Sequence, residues 1–316
     1  MRAPPRRLLA LFLTLATAGA FVACGSRTGL LAGAAITAEG EEPDGSPDLD
    51  ALPELDGRPK VDVVRNDCPD ADATLVYLVT ETAELLSFYP PDATFRKIGV
   101  LVCPAPTGAT PFSMAVDRKG IAYILYQGSL GDAAGVYRVS TATGACTKTA
   151  FDPSATEFNT FGMGFSTDQG GPAETLYIAG DNASGGAAGL GSIDTTTFVT
   201  KPIRDFSPQI SRAELTGTGS GDLYAFYSDA FASESFVGQI EKTTARVVAE
   251  NRLAGVTQGQ GWAFAYWGGD FWLFTSPTGV GSRVTRYRPS DKSISVMTTY
   301  PSIVVGAGVS TCAPQQ

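Results

Sequence analysis

The residues able to carry chemistry in this sequence are mainly carboxylates, because the 316-residue chain contains no histidine. Without imidazole, Ser-His-Asp and Cys-His nucleophiles, histidine-ligated zinc and the common proton shuttle are excluded. A reaction would have to use carboxylates, lysine, tyrosine or a carboxylate-bound cation. No residue spacing indicates such a set. The sequence therefore predicts no catalytic residue, no metal site and no cofactor.

Glu214 is the carboxylate that stands out by its position. It lies in a segment with the pattern of an innermost strand, Ala213-Glu214-Leu215, where comparable segments carry Ala or Gly. A carboxylate that faces a central channel is able to bind a cation or to act as an acid or base. Carboxylates beside a water-filled channel also occur without any chemistry. Glu214 is therefore a candidate ligand-binding residue, with the structural interpretation left open.

All three tryptophans, Trp262, Trp267 and Trp272, fall within one short stretch. One interpretation is an exposed aromatic platform for a sugar or peptide, with Trp267, on a predicted turn, as the candidate. The other is that Trp262 and Trp272 fill the core, because strands are rich in buried aromatic residues.

Cys24 closes a short apolar N-terminal segment. Three arginines lead into the apolar stretch Leu8–Phe21, which is too short to span a bilayer and has the length of a signal peptide. The residues Phe21-Val22-Ala23-Cys24 match a lipobox, except that Phe21 stands where Leu is most common. The N-terminus thus resembles that of a bacterial lipoprotein precursor, which implies cleavage before Cys24 and acylation of its sulfur. The alternative is an ordinary secretory signal, cut near Ala18-Gly19-Ala20, with a structural Cys24.

Residues 24–65 have the composition of a linker. They are rich in acids and prolines and poor in large apolar residues, which predicts a disordered, self-repelling tether. Removing residues 1–23 takes away three arginines and no acid, so the formal charge falls from −9 to −12. Such a surface does not favour nucleic acid. The predicted organisation is a signal peptide at 1–23, the linker, and one folded domain at 66–316.

Five short segments of the folded domain place an aromatic residue at the same point of an aliphatic run. These aromatic residues recur every 46 to 54 residues. A period of this size with strand-type segments is typical of a β-propeller, in which each repeat is a four-stranded blade. The five aromatic residues are Tyr77, Tyr123, Tyr177, Tyr224 and Trp272.

The first repeat begins with its aromatic strand and lacks an inner strand. The small-residue segment Ile303–Val309 supplies one, so that both chain ends share a blade and close the ring. The sequence therefore predicts an all-β fold, a five-bladed β-propeller with ring closure by the N- and C-terminal strands. The predicted blades are 112–150, 161–205, 212–253, 261–300, and a composite of 303–312 with 74–102.

The turn Asp117-Arg118-Lys119-Gly120, followed by Tyr123, looks like the Asp-x-x-Gly turn of several propeller families, which marks a fold and not a function. With the lipobox, the chain resembles extracytoplasmic bacterial propeller lipoproteins of the kind abundant in myxobacteria. The resemblance covers residues 1–24 and 66–312. It implies a lipid-anchored protein of the cell envelope, with the outer membrane favoured and its leaflet open.

Four cysteines remain once Cys24 is set aside, and an even number in an exported chain indicates disulfides. We favour Cys68–Cys312, because antiparallel pairing of the terminal strands brings these two to one face of the composite blade. Cys103 and Cys146 then pair with each other across neighbouring blades. The other pairings remain open. Close Cys-x-x-Cys spacing, which a cysteine metal site needs, does not occur in the sequence.

Two functions are compatible with this sequence. The first is a binding or scaffold module that presents a site for a protein, peptide or glycan and is held at the membrane by its anchor. The second is a hydrolase or lyase that uses channel carboxylates, with or without Ca²⁺. The predicted inner strands are mostly small and apolar, with Glu214 as the main exception, which favours binding.

Overall fold

The computed structural model describes residues 75–168, 171–180, 189–228 and 234–316, and these form five four-stranded antiparallel sheets. The predicted signal peptide with Cys24, the linker and Cys68 lie outside the described residues. The strands are β1 (Val76–Thr80), β2 (Glu84–Tyr89), β3 (Thr94–Val100), β4 (Thr110–Val116), β5 (Ile121–Gln127), β6 (Ala133–Ser140), β7 (Cys146–Lys148), β8 (Phe161–Thr167), β9 (Glu174–Gly180), β10 (Gly189–Ile193), β11 (Thr200–Arg204), β12 (Ser211–Gly217), β13 (Leu223–Ser228), β14 (Ser235–Ile240), β15 (Val247–Leu253), β16 (Trp262–Trp267), β17 (Asp270–Thr275), β18 (Ser282–Arg288), β19 (Ser293–Tyr300) and β20 (Val304–Val309).

Each sheet is one blade of a propeller. Blades 1 to 4 are, in order, β4–β7, β8–β11, β12–β15 and β16–β19, and blade 5 has the order β20-β1-β2-β3. The inner strands β20, β4, β8, β12 and β16 contact one another in a ring. The five aromatic residues that defined the repeat all lie in the second strand of their blades. The predicted five-bladed β-propeller is therefore confirmed.

Blade 5 closes the ring, as predicted, with strands from both ends of the described chain. β20 pairs antiparallel with β1, from Val76 opposite Val309 to Thr80 opposite Val304. Because this strand pair joins the two ends within one sheet, it hydrogen-bonds edges that would otherwise stay open.

The core is divided among the five interfaces between neighbouring blades. Each interface holds one cluster of buried apolar side chains, contributed by the facing sheets of two blades. Alternation along each strand supplies both clusters, because successive side chains point to opposite faces. In blade 1, for example, Tyr123 and Leu125 pack toward blade 2, while Ala122 and Ile124 pack toward blade 5.

Inner strands approach closely where glycine replaces a side chain. A Cβ added to Gly162 in β8 would lie 2.1 Å from the carbonyl oxygen of Ala213 in β12. At Gly164 the corresponding distance to the backbone of Leu215 is 2.6 Å. Small residues on these strands therefore let blades 2 and 3 meet backbone to backbone at the ring.

The disulfide Cys103–Cys146 is present, as predicted. Its Cα atoms are 5.1 Å apart, and it links the segment after β3 in blade 5 to the start of β7 in blade 1. Cys312 is disulfide-bonded and buried. Since Cys68 is outside the described residues, the Cys68–Cys312 pairing stays a prediction.

The helices of the described residues are two short 3-10 turns, Pro90–Asp92 and Pro153–Ala155. None of the helices described is long and apolar enough to cross a bilayer.

Candidate functional site

The inner strands all begin at the same end of the ring, and a depression opens there into the central channel. Two adjoining hollows of about 320 and 590 Å³ form it and share four of their lining residues. We call this depression the channel mouth. It is lined by Pro111, Phe112, Gln127, Gly131, Thr160, Phe161, Gly162, Ala179, Arg212, Ala213, Glu214, Gln260, Gly261, Trp262 and Val305.

Bulges near the start of three inner strands shape the mouth. Phe112 is the extra residue in β4, and Val305 is the extra residue in β20. In β12, Arg212 and Ala213 together oppose one residue of β13. Bulges re-aim side chains and bend the strand that carries them. Here each bulge places at least one of its residues in the lining of the mouth.

Glu214 lies at the mouth on β12, and only 3% of its surface is exposed. Ser113 Oγ donates to Glu214 Oε2 at 2.7 Å and accepts from the Met163 backbone N–H at 3.0 Å. Burial raises the pKa of Glu214 well above its usual range, while the hydrogen bonds from Ser113 and Met163 lower that pKa. Glu214 therefore keeps its proton to a higher pH than an exposed glutamate does.

Arg212 and Trp262 form a stacked pair at the rim of the mouth. The guanidinium carbon lies 3.9 Å from the centre of the indole ring, and Nη2 donates to the Gly259 carbonyl oxygen at 2.6 Å. Arg212 has a φ of 55°, which a bulky residue rarely adopts. Such backbone strain persists only where the surroundings hold it, and it concentrates at functional sites. Gln258 helps to hold the backbone of Arg212, because its Nε2 donates to the Arg212 carbonyl oxygen at 3.0 Å.

The tryptophans divide differently from the sequence-based expectation. Trp267 is 7% exposed and packs with Tyr89 and Ala313 in the cluster between blades 4 and 5, so it offers no exposed platform. Trp272 is buried, as the alternative had it. Trp262, assigned by that alternative to the core, is partly exposed, and its ring meets Phe112 edge to face at 6.4 Å. The partly exposed aromatic residues of the mouth are therefore Trp262 and Phe112, whereas Phe161 in its lining is buried.

Several solved structures resemble this chain at low sequence identity. A structure described as TolB from Agrobacterium tumefaciens is 8% identical to this chain, and the match covers 76% of this chain and 82% of that one, with a TM-score of 0.43. An exo-β-1,3-galactanase from Phanerochaete chrysosporium is 12% identical over 71% of this chain, with a TM-score of 0.46. A GH43B protein of a Bacteroides ovatus xyloglucan locus is 13% identical over 59%, with a TM-score of 0.42. The match covers 54% of the length of the galactanase and 40% of the length of the GH43B protein. No protein family and no curated protein matches the sequence.

The opposite end of the channel is crossed by the C-terminal segment 310–316. Thr311 follows the inner strand of blade 5, yet its hydroxyl donates to Glu174 Oε2 of blade 2 at 2.8 Å. Further along, the Gly268 N–H of blade 4 donates to the Pro314 carbonyl oxygen at 2.8 Å. Blade 2 does not neighbour blade 5 in the ring, so these contacts require the segment to pass over the channel.

Glu174 is a partly buried carboxylate at this crossed end. It accepts from the Arg118 N–H at 2.8 Å as well as from Thr311. Burial raises the pKa of Glu174 to about 7, although both hydrogen bonds lower it. Nearby Asp117 accepts from the N–H groups of Lys119 and Ile121, which confirms the predicted turn.

We expect Glu174 to make the stability of the protein fall as the pH rises from 4.5 to 7. The folded state holds this proton more tightly than the unfolded chain, so its contribution is complete below pH 4.5 and lost above pH 7. A shift of this size corresponds to about 3 kcal/mol. Urea unfolding of wild type and Glu174→Gln across this pH range measures the difference. Equal pH slopes for the two proteins would contradict the assignment.

The sequence identified Glu214 as a channel residue but missed Phe112, Arg212 and Trp262. A signal for the two aromatic residues was their position, since each lies within the first three residues of an inner strand. Nothing in the local sequence indicates the left-handed conformation of Arg212. Among the described residues, no group of three or more Cys, Asp or Glu is placed to hold a metal ion.

Proposed function

We propose that this protein is a binding module of the bacterial cell envelope, held by a lipid on Cys24, whose ligand enters the channel mouth. The mouth carries the proposal, because it combines a concave shape, aromatic walls and a few fixed polar groups. Its polar groups are rigidly supported: Ser113 holds Glu214, and Gly259 and Trp262 hold Arg212. Supported side chains of this kind suit recognition, since little freedom is lost on binding.

A hydrolase or lyase is the second candidate, and the raised pKa of Glu214 is the observation that favours it. A protonated carboxyl in a pocket is able to act as a general acid. Glycoside hydrolysis by the common mechanisms, however, needs two carboxyl groups flanking the bond. Of the described residues that line the mouth, Glu214 is the single carboxylate. Binding is therefore the better supported function.

Tryptophan fluorescence of the detergent-solubilised full-length protein tests this proposal. Trp262 is the only partly exposed tryptophan of the described chain, which contains all three. We expect a peptide or oligosaccharide that binds the mouth to change the emission of wild type and of Trp267→Phe, but not that of Trp262→Phe. Emission changes that survive in Trp262→Phe would place the ligand elsewhere. Turnover of the ligand that is lost in Glu214→Gln would identify an enzyme.

We expect Cys24→Ala to abolish membrane attachment. Each buried methylene of an acyl chain contributes about 0.8 kcal/mol, so a multiply acylated cysteine holds a soluble domain on a bilayer. Cells labelled with a radioactive fatty acid should incorporate label into the wild-type protein and none into the variant. Ser26→Ala is the matched control, because it changes a small residue beside the lipobox and leaves every cysteine in place. Equal labelling of Cys24→Ala and wild type would remove the anchor from the proposal.

A further inference from the structure

Two almost fully exposed aliphatic side chains flank the channel mouth. Leu130 is 93% exposed on the loop between β5 and β6, and Val280 is 83% exposed on the loop between β17 and β18. Both loops lie at the mouth end of their blades, because they join the ends of second strands to third strands. A ligand that covers an aliphatic side chain at such a position is bound more tightly, because apolar surface leaves water.

These two side chains are the ends of an apolar strip that crosses the mouth. Gly131, next to Leu130, lines the mouth, and Gly279, next to Val280, lies directly against the side chain of Gln260. Between the two loops lie the partly exposed side chains of blades 1, 5 and 4. We call the following residues the apolar strip: Leu130, Phe112, Val305, Trp262 and Val280.

An acidic groove adjoins the Leu130 end of the strip. A hollow of about 850 Å³ lies between the β5–β6 loop and the segment that leads into β8, with Asp132 and Glu157 in its lining. The Ala133 N–H donates to the Asn159 carbonyl oxygen at 2.6 Å and holds the two walls together. No basic residue lines this groove among the residues described. The groove therefore attracts a cationic side chain.

The amides of Gln127 and Gln260 line the mouth beside the apolar strip. A primary amide offers both a donor and an acceptor, which matches the N–H and C=O of an extended peptide backbone. Oligosaccharides also bond to amides, but they gain little from aliphatic tips such as Leu130 and Val280. The strip and the acidic groove together favour a polypeptide over a glycan.

From this arrangement we infer that the channel mouth binds an extended polypeptide segment with alternating apolar and basic side chains. Apolar side chains cover the strip, and a lysine or arginine enters the groove of Asp132 and Glu157. The formal charge of −12 that remains after removal of residues 1–23 draws such a segment toward this protein from a distance. The inference rests on the proposed function of the mouth as a binding site and adds the chemical class of its ligand.

Fluorescence anisotropy with three labelled peptides tests the inference on the detergent-solubilised full-length protein. The first alternates Leu and Lys, the second Leu and Glu, and the third Ser and Lys. We expect the Leu-Lys peptide to bind, with each of the other two weaker by about tenfold or more. The double variant Leu130→Ser/Val280→Ser should weaken the Leu-Lys peptide by about tenfold. Both residues are exposed loop positions, so we expect the two substitutions to leave the fold intact.

Val296→Ser is the matched control, because Val296 is 60% exposed on the outer strand of blade 4. It should bind the Leu-Lys peptide as wild type does. Equal binding of the Leu-Lys and Ser-Lys peptides, or unchanged binding by the double variant, would overturn the inference. A neutral oligosaccharide that binds in place of the peptides, and is lost in Trp262→Ala, would overturn the inference while leaving the proposed function intact. Binding of neither class at the mouth would overturn both.

Discussion

Replacing Gly162 with alanine is expected to destabilise the propeller by about 3 kcal/mol. The added Cβ would lie 2.1 Å from the carbonyl oxygen of Ala213, well inside contact distance. The Cβ would be fixed to the backbone of β8, and the oxygen belongs to the backbone of β12. The clash can therefore be relieved only if one blade moves against its neighbour. Packed interiors resist such shifts, because the whole interface between blades 2 and 3 must adjust. The free energy of unfolding, measured in urea, is the quantity to compare.

Gly99→Ala is the matched control for this substitution. Gly99 also lies in a strand, β3, but a Cβ there would meet no atom within 4 Å. Its expected change in stability is within about 0.5 kcal/mol. Comparing the two variants separates the clash in the ring from the effect of alanine on the unfolded chain. Equal stability of the two variants would mean that the space between Gly162 and the Ala213 carbonyl oxygen is large enough to hold a Cβ.

The architecture was predictable because its signals are local and repeated. Strand alternation and polar turns identified the blade 161–205, and the structure places that blade at Phe161–Arg204. Ring closure was also predictable, since Ile303–Val309 had the composition of an inner strand with no partners of its own. Each of these signals concerns residues that are close together in the chain or that recur at one period.

The candidate site was harder to predict, because it depends on contacts between distant segments. Trp262 and Trp267 lie in the same strand on opposite faces, and which of them is covered depends on neighbouring blades. Trp267 is covered by Tyr89 and Ala313, which are remote in sequence. The conformation of Arg212 likewise depends on Gly259 and Trp262, which belong to a distant segment. Local sequence contains neither contact.

Glu214 and Glu174 lie toward opposite ends of the ring. Glu214 lies at the mouth, where the inner strands begin, and Glu174 lies where the C-terminal segment crosses. The substitutions Glu214→Gln and Glu174→Gln should therefore differ: the first affects ligand binding, and the second affects stability.

The second large effect is expected from the disulfide. The variant Cys103→Ala/Cys146→Ala should lose about 4 kcal/mol, since the bond closes a loop of 43 residues and restricts the unfolded chain. This loss corresponds to a fall in melting temperature of roughly 10 °C. The bond ties the outer strand of blade 1 to the segment after β3 of blade 5, apart from the β20–β1 pairing that closes the ring.

Substitution is a better test than reduction, because a reductant also breaks the disulfide of Cys312. Each single variant, Cys103→Ala or Cys146→Ala, should match the double variant to within about 0.5 kcal/mol, since either one removes the bond. A double variant as stable as wild type would show that the core between blades 5 and 1 holds these two segments without the bond. A single variant that is clearly less stable than the double variant would instead indicate that the remaining thiol forms a wrong disulfide during folding.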